Sequence, residues 1–287
     1  MASTTALKRR ITSVKNTRQI TKAMQLVSAS KMRRAQEYAF RSRDYREAAT
    51  DLMKRLSTIN EVSKTPLFVK RPVKTRLYVV ITSNSGLAGA YNSNVLKLLG
   101  AGLKEDAANK VTSRVITIGS KAAQFVRRVQ GVELEAAYPA FGDQPTANDI
   151  RPLLNTVLEQ YKDEVVDDVR VIYTEFKSNL LQEATALPLL PAQPIQDSTA
   201  PAISEFEPDL ETVVEQVTAR LVEAQVWQAL LESLASEHSM RMIAMKNATD
   251  NAKELIEDYT LELNTARQAS ITQELAEITG GAEALNG

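Results

Sequence analysis

Residues 210–267 read LETVVEQVTARLVEAQVWQALLESLASEHSMRMIAMKNATDNAKELIEDYTLELNTAR. Alternate steps of four and three residues from Leu210 to Ala266 reach 17 positions, and 14 of them are apolar in one unbroken register. A 3.5-residue repeat held for that length is typical of a left-handed coiled coil. His238 falls on this seam, where a polar residue is expected to set register or to pack beside a polar neighbour.

Glycine and proline are absent from residues 1–65 and 209–279. Since these residues terminate helices, their absence predicts two very long helices at the two ends of the chain. Asp209, directly after Pro208, is the expected N-cap of the second helix. In the first helix we predict one apolar stripe that begins at Leu7, Ile11 and Val14 and continues, drifted, at Ile20, Met24 and Val27.

The charge distribution predicts that these helices pair. The chain has 35 basic and 35 acidic side chains, but residues 1–46 carry 12 basic and 2 acidic ones, and residues 205–287 carry 5 and 16. Opposite net charges at the two ends favour an antiparallel coiled coil.

Between the helices, residues 75–195 alternate apolar β-rich runs with helical segments, which predicts a parallel or mixed α/β sheet. We expect strands at 76–82, 114–118, 134–138 and 169–176, and helices at 92–103, from 120 and at 148–161. Five prolines predict an extended linker back to the second helix: Pro188, Pro191, Pro194, Pro201 and Pro208. The fold class is therefore a mixed α+β and α/β chain: a long antiparallel coiled coil with an inserted α/β domain. We expect the domains to be 1–60, 75–195 and 205–287.

Composition excludes several kinds of chemistry. The chain has no cysteine and one histidine, so a thiolate metal site, a disulfide, a cysteine nucleophile or a multi-histidine site cannot form within it. The turn Ser85-Gly86-Leu87-Ala88-Gly89 stands where a phosphate-binding loop stands, after a strand and before a helix. It lacks both the lysine of a P-loop and the third glycine of a dinucleotide-binding loop, which favours a purely structural turn.

The first helix carries a basic block that includes Lys31, Arg33 and Arg34. Twelve cations in 46 residues exceed what a solvated helix face needs, so we expect an acidic partner: a protein, a lipid surface or a nucleic acid.

Three segments then point to a family. Residues 10–34 (RITSVKNTRQITKAMQLVSASKMRR) resemble the N-terminal helix of the γ subunits of F-type ATP synthases. Residues 271–284 (ITQELAEITGGAEA) fit that family's C-terminal signature, and residues 240–252 (MRMIAMKNATDNA) are similar to its conserved C-terminal helix. The likeness covers the whole chain in order. One departure is the turn at 84–89, where the family commonly has an aspartate, a basic residue and a cysteine.

The resemblance implies a central-stalk rotor subunit that couples proton-driven rotation to ATP synthesis or hydrolysis in the β subunits and is itself non-catalytic. It implies α and β subunits in a 3:3:1 ring, an ε subunit and a c-ring as partners, with no nucleic acid. ATP, ADP and Mg²⁺ would be bound by the partner subunits, and no cofactor by this chain. The expected location is peripheral, on the cytoplasmic face of the cell membrane.

The resemblance also assigns contacts with the catalytic ring, residue by residue. Met24 corresponds to a position facing a β-subunit lever, with Lys31, Arg33 and Arg34 on the nearby basic face. The positions that match contacts with the ring's catch loops are Arg267, Gln268, Thr272, Glu274 and Glu277.

Two other functions remain open at this point. One is a coiled-coil protein whose basic arm binds anionic lipid or nucleic acid, which salt-dependent binding would favour. The other is a nucleotide-binding enzyme that uses the α/β insert, which nucleotide affinity of the insert would favour.

Overall fold

A computed structural model describes residues 4–56, 65–142, 145–192 and 209–286. The chain divides into two compact units: Met1–Val27 with Met242–Gly287, and Ser28–Arg241. Two helices contribute residues to both units, α1 (Thr4–Arg41) and α6 (Leu210–Asn286). No helix in the described ranges is at once long and apolar enough to cross a bilayer.

In the first unit, α1 and α6 form an antiparallel pair. The guanidinium of Arg10 lies 6.0 Å from the centroid of the Tyr259 ring. The Oγ1 atoms of Thr21 and Thr249 lie 2.8 Å apart. Residue numbers therefore increase along α1 in the direction in which they decrease along α6, which confirms the predicted antiparallel coiled coil.

The predicted seam of α6 is confirmed by burial. Between residues 246 and 266, the side chains that are not exposed are Ala248 and the six predicted seam residues, Thr249, Ala252, Ile256, Tyr259, Leu263 and Ala266. Their 4-3 spacing is that of a helix that keeps one narrow stripe against one partner.

The predicted drift of the α1 stripe is wrong. Ile20 is 61% exposed and Val27 is 54% exposed, whereas Thr21 is 8% exposed. The heptad that begins at Leu7 and Ile11 continues without drift, because the polar Thr21 is satisfied on the seam by its hydrogen bond with Thr249. Of the three apolar residues that we assigned to the drifted stripe, Ile20 and Val27 face outward and Met24 is half-buried.

In the second unit, the N-terminal helix is interrupted, contrary to the prediction of one continuous helix. After α1 ends at Arg41, α2 spans Arg43–Leu56. The Ser42 hydroxyl lies 2.9 Å from both the carbonyl oxygen of Ala39 and Oε1 of Gln228. A serine hydroxyl that bonds to its own backbone competes with regular helix, which accounts for the interruption.

A five-stranded sheet forms the centre of this unit, with the order β3-β2-β1-β4-β5. Four strands are parallel: β1 (Thr75–Ile81), β2 (Thr112–Ile118), β3 (Val132–Tyr138) and β4 (Asp168–Phe176). They confirm the four predicted strands. The fifth, β5 (Gln182–Leu190), pairs antiparallel with β4, so the sheet is mixed.

The predicted proline linker was placed too early in the sequence, because its first proline lies in strand β5. Pro188 lies within β5, opposite Arg170 of β4. Proline has no N–H to donate, and an edge strand with one partner tolerates that loss. Pro194, Pro201 and Pro208 lie outside the described residues.

Helices cover both faces of the sheet, as its parallel strands require. On one face α3 (Tyr91–Ala108) and α4 (Ser120–Val126) pack against Tyr78 and Val80. On the other, α5 (Ala147–Lys162) and the first part of α6 pack against Leu77 and Val79. The alternation along β1 places successive side chains in two separate cores.

The predicted cap of α6 is confirmed. Asp209 Oδ1 accepts a hydrogen bond from the Thr212 backbone N–H at 2.8 Å, and its Oδ2 accepts one from the Thr212 hydroxyl at 2.9 Å. The division into domains 1–60, 75–195 and 205–287 stays a prediction, because the boundaries at 60, 195 and 205 lie outside the described residues.

Candidate partner-binding surfaces

The C-terminal part of α6 continues beyond the start of α1. The contacts at Thr21–Thr249 and Arg10–Tyr259 place Thr4 level with about residue 266 of α6. Every side chain from Arg267 to Ala282 is exposed, and Ala266 is the last half-buried one. Residues 267–286 thus form a single helix of about 30 Å that no described residue of α1 covers.

This uncovered helix carries an apolar stripe. Ile271, Leu275 and Ile278 are 47%, 58% and 67% exposed. Their spacing is also 4-3, but the seam would continue at 270, 273 and 277, so the stripe lies on a different side of the helix from the seam. A regularly spaced exposed apolar stripe marks a surface that another molecule covers.

The predicted C-terminal contact residues lie on this helix, and all five are exposed: Arg267, Gln268, Thr272, Glu274 and Glu277. Their hydrogen bonds stay within the helix. The Thr272 hydroxyl donates to the Gln268 carbonyl oxygen at 2.9 Å, and Gln273 Nε2 donates to Glu277 Oε1 at 2.9 Å. These side chains are therefore available to a partner without first breaking a tertiary contact.

Met24 is in the same unit but not at the same place. It is half-buried on α1, level with about residue 246 of α6, and so about 30 Å along the axis from Arg267. In the second unit, Lys31 is half-buried and Arg33 and Arg34 are exposed on α1. Within the first unit, Met24 and the C-terminal contact residues therefore belong to separate surfaces.

The order of the strands defines where a ligand would bind in a sheet of this kind. Strand order reverses between β1 and β4, and helices lie on opposite faces on the two sides of that point. Sheets with this topology bind ligands in the crevice at the carboxyl ends of these two strands. The same edge carries the Ser85–Gly89 turn.

In this protein α6 occupies the crevice. Ser233 Oγ lies 3.5 Å from the backbone N of Thr174 at the end of β4, and Ser236 Oγ donates to the Thr174 carbonyl oxygen at 3.2 Å. Ser239 Oγ donates to the Asn179 carbonyl oxygen at 3.0 Å. We call Ser233, Ser236 and Ser239 the serine triplet; all three are fully buried.

Tyr91, at the start of α3, also helps to fill the crevice. Its hydroxyl lies 2.7 Å from Ser233 Oγ, and burial together with the charge of Glu237 raises the pKa of this phenol above its usual value. Our sequence analysis missed the serine triplet. The three-residue spacing of three serines in a helix was the available signal, because it places three short hydroxyls on one face.

Hydrogen bonds hold the residues that flank the Ser85–Gly89 turn. Asn92 Oδ1 accepts from the Ser83 backbone N–H at 3.0 Å. Asn84 Oδ1 accepts from the backbone N–H groups of Ser120 at 3.1 Å and Ala140 at 3.0 Å. The Asn84 side chain therefore links the carboxyl ends of β1, β2 and β3.

A buried charge fixes the turn to α6. Arg241, 8% exposed, places Nη1 2.7 Å from Glu237 Oε1 and donates from Nη2 to Ser85 Oγ at 3.2 Å. His238 is buried beside it, with Nδ1 3.4 Å from Arg241 Nη1. His238 thus packs beside a polar neighbour, as expected for its seam position.

Other features of this unit do not favour a nucleotide site. A groove of about 730 Å³ is lined by four carboxylates and one cation, Lys54, so its excess negative charge disfavours phosphate; the carboxylates are Glu47, Asp51, Glu175 and Glu232. Within the described ranges, no three histidine, aspartate or glutamate side chains are grouped so that they could hold a metal ion.

The fold and the surfaces together define a class of protein. It has a two-helix coiled coil and an α/β domain whose ligand crevice is filled, and the C-terminal part of α6 has exposed polar and apolar side chains. The exposed surfaces of such a chain are typical of a protein that binds other proteins.

Comparisons with known proteins give the particular family. The family model described as ATP synthase matches residues 3–285. The ATP synthase gamma chain of Herpetosiphon aurantiacus is 41% identical over 295 residues that cover 100% of both chains, and that of Roseiflexus castenholzii is 41% identical with 99% of each chain covered. The chain belongs to the ATP synthase gamma-chain family.

Solved structures agree with this assignment. A chain from the central stalk and c-ring of the Tetrahymena thermophila mitochondrial ATP synthase has a TM-score of 0.64 at 26% identity, covering 80% of this chain and 99% of that one. A chain from the Euglena gracilis mitochondrial ATP synthase has a TM-score of 0.71 at 21% identity, covering 98% and 94%, and shares the fold. The protein is a central-stalk subunit of an ATP synthase.

Proposed function

We propose that this chain is the rotating shaft of an F-type ATP synthase, turning inside a ring of three α and three β subunits and coupling proton flow to nucleotide chemistry on the β subunits. The chain performs no chemistry itself. ATP, ADP and Mg²⁺ bind to the partner subunits, and this chain binds none of them. It acts at the cytoplasmic face of the cell membrane, with the ε subunit and the c-ring as its other partners.

The uncovered end of α6 is the observation that carries the proposal. A single helix of about 30 Å is rarely stable in water by itself, because helix formation relies on tertiary packing of an apolar face. The stripe of Ile271, Leu275 and Ile278 supplies such a face. A ring of subunits that surrounds the helix would cover it.

The character of this surface suits a part that moves past successive partners. Around the apolar stripe stand Arg267, Gln268, Thr272, Glu274 and Glu277, exposed and hydrogen-bonded only within the helix. Exposed polar contacts are worth little individually, so they can form and break at each step of a rotation.

The filled crevice supports a non-catalytic role. The place where a sheet of this topology binds a ligand is taken by Ser233 and Ser236, which bond to the backbone of Thr174. The α/β domain then serves as a structural body attached to the coiled coil, and its family membership supplies the complex in which it works.

Co-expression with α and β subunits of the same complex tests the proposal. We expect the three chains to purify together in a 3:3:1 ratio and to hydrolyse ATP, whereas the isolated chain does not. A second arm measures rotation of a bead attached to the α/β domain. Failure to co-purify, or ATP hydrolysis by the isolated chain, would contradict the proposal.

A further inference from the structure

The outer surface of α3 and α4 carries five cations and very few acids. Lys97, Lys104, Arg127 and Arg128 are exposed, and Lys121 is half-buried. We call these five side chains the cationic face. None of them forms an ion pair with another residue that the structure describes, and Glu105 is the only exposed acid on the two helices.

The two helices form one platform. A Cβ placed on Gly100 of α3 would lie 3.9 Å from the Cζ atom of Phe125 in α4, so the helices pack closely at this point. Lys97 and Lys104 lie within about 60° of Gly100 around α3, on the α4 side, whereas Glu105 lies about 140° away. The single acid is therefore turned away from the cations of α4.

Local structure does not account for this concentration of charge. Arg127 and Arg128 follow the last turn of α4, where cations interact favourably with the helix dipole. Lys121 lies in the first turn of α4, where the same dipole disfavours a cation. Lys97 and Lys104 lie in the middle of α3, where the dipole has little effect. Like charges grouped without counter-ions repel one another, so the arrangement is unfavourable in the chain alone.

We infer that the cationic face docks the acidic surface of another protein subunit of the complex. The inference rests on the proposed function for the existence of that complex. A membrane surface is disfavoured, because the exposed apolar side chains of α3 near the cations are the small Ala101, Ala107 and Ala108, which cannot insert into lipid. Opposite charge attracts the partner over a distance and fixes its orientation, with the strongest effect at low salt.

Photo-crosslinking in the assembled complex tests the inference. A benzophenone amino acid replaces Lys104 or Arg128 in separate variants, and Arg151, an exposed cation on α5, in a control. We expect the first two to crosslink to a peptide of another subunit rich in aspartate and glutamate, and the control to give no such product. No crosslink above the control, or crosslinking to lipid, to nucleic acid or to a surface without carboxylates, would overturn the inference.

Charge reversal gives a second readout. The variant K104E/R128E should lower the affinity of the crosslinked subunit for the rest of the complex about tenfold in 50 mM salt and less in 300 mM salt, while R151E leaves it unchanged. Equal affinities for both variants would contradict the inference. The wild-type chain separates this failure from failure of the proposed function: the proposed function fails if the wild type does not purify with α and β subunits, whereas the inference fails if K104E/R128E and R151E bind the crosslinked subunit equally well.

Discussion

The hydroxyl groups of Thr21 on α1 and Thr249 on α6 form a hydrogen bond across the coiled coil. Their hydroxyl oxygens lie 2.8 Å apart, and each is also near a carbonyl of its own helix, Arg18 O at 3.1 Å and Met245 O at 2.7 Å. One hydroxyl donates across the interface while the other donates to its own backbone. The pair fixes the register of a seam that is otherwise mostly apolar.

Replacing both residues by valine (T21V/T249V) tests the role in register. Valine has nearly the same shape, and removing both partners leaves no unsatisfied group, so we expect the free energy of unfolding to change by less than about 1 kcal/mol. Cysteine pairs introduced at positions 10 and 259 report register by their rate of disulfide formation. We expect a slower, less specific reaction in the double variant; unchanged specificity would mean that apolar packing alone sets register.

The stripe on the uncovered helix should affect assembly and not folding. In the variant I271S/L275S/I278S all three changed side chains are exposed, so the melting temperature of the isolated chain should stay within about 2 °C of the wild type. Recovery of the 3:3:1 complex should fall severalfold. The control A269S/A276S introduces serine at exposed positions of the same helix, outside the stripe and outside the predicted contact residues, and should assemble normally. A large loss of stability in the isolated chain would show that the stripe packs internally.

Ser85→Ala should leave catalysis by the assembled complex nearly unchanged. The Ser85 hydroxyl accepts a hydrogen bond from Arg241, which remains paired with Glu237 when the hydroxyl is lost. We expect ATP hydrolysis within about twofold of the wild type, equivalent to half a kcal/mol or less. A decrease above a hundredfold would give the turn a functional role.

Tyr78 should make stability sensitive to alkaline pH. Burial, with a hydrogen bond to Asp106, raises the pKa of Tyr78 from 10.0 to about 12. Because the folded state keeps its proton longer than the unfolded state, this contribution is complete below pH 10 and is lost as the pH rises from 10 to 12. Urea unfolding across this range should show a loss that is about 1–2 kcal/mol smaller in Tyr78→Phe. Equal losses in both proteins would exclude Tyr78 as the source.

Met24→Lys tests coupling. A flexible, uncharged methionine tolerates changing contacts, whereas a lysine can form an ion pair with one partner at one rotor angle, worth roughly 1–3 kcal/mol when partly desolvated. We expect ATP hydrolysis to remain substantial while proton pumping per ATP decreases, both measured in membrane vesicles. A parallel decrease in both, with pumping per ATP unchanged, would indicate a defect in assembly instead.

Local patterns predicted much of this fold. The repeat from Leu210 to Ala266, the cap at Asp209 and the four parallel strands each depend on spacings within one segment. The α1 seam was predicted correctly at Leu7, Ile11 and Val14, but its continuation was wrong, because the next apolar residues were assumed to face the partner helix. In a chain that other proteins surround, Ile20 and Val27 can face outward while Thr21 lies on the seam.

The candidate surfaces were less accessible to prediction. The serine triplet has its role only because β4 ends beside α6. Ser233 and Ser236 follow their partner Thr174 by 59 and 62 positions in the sequence, so no local pattern reveals the contact. The cationic face likewise depends on two helices that are separate in sequence. The exposed polar contact residues were found through resemblance. The apolar spacing of Ile271, Leu275 and Ile278 is present in the sequence, but only the structure shows that α1 leaves this stripe uncovered.

The serine triplet also has a mechanical meaning. A ligand crevice normally opens and closes as its occupant comes and goes, but here the occupant is covalently part of the chain. Sliding α6 along β4 by one residue, about 1.5 Å, would break the bonds at Thr174 and Asn179 together. Because these hydrogen bonds would have to break at the same time, the contact between α6 and the sheet resists sliding far better than a single hydrogen bond would. A twisting force applied to α6 would therefore reach the sheet with little slip.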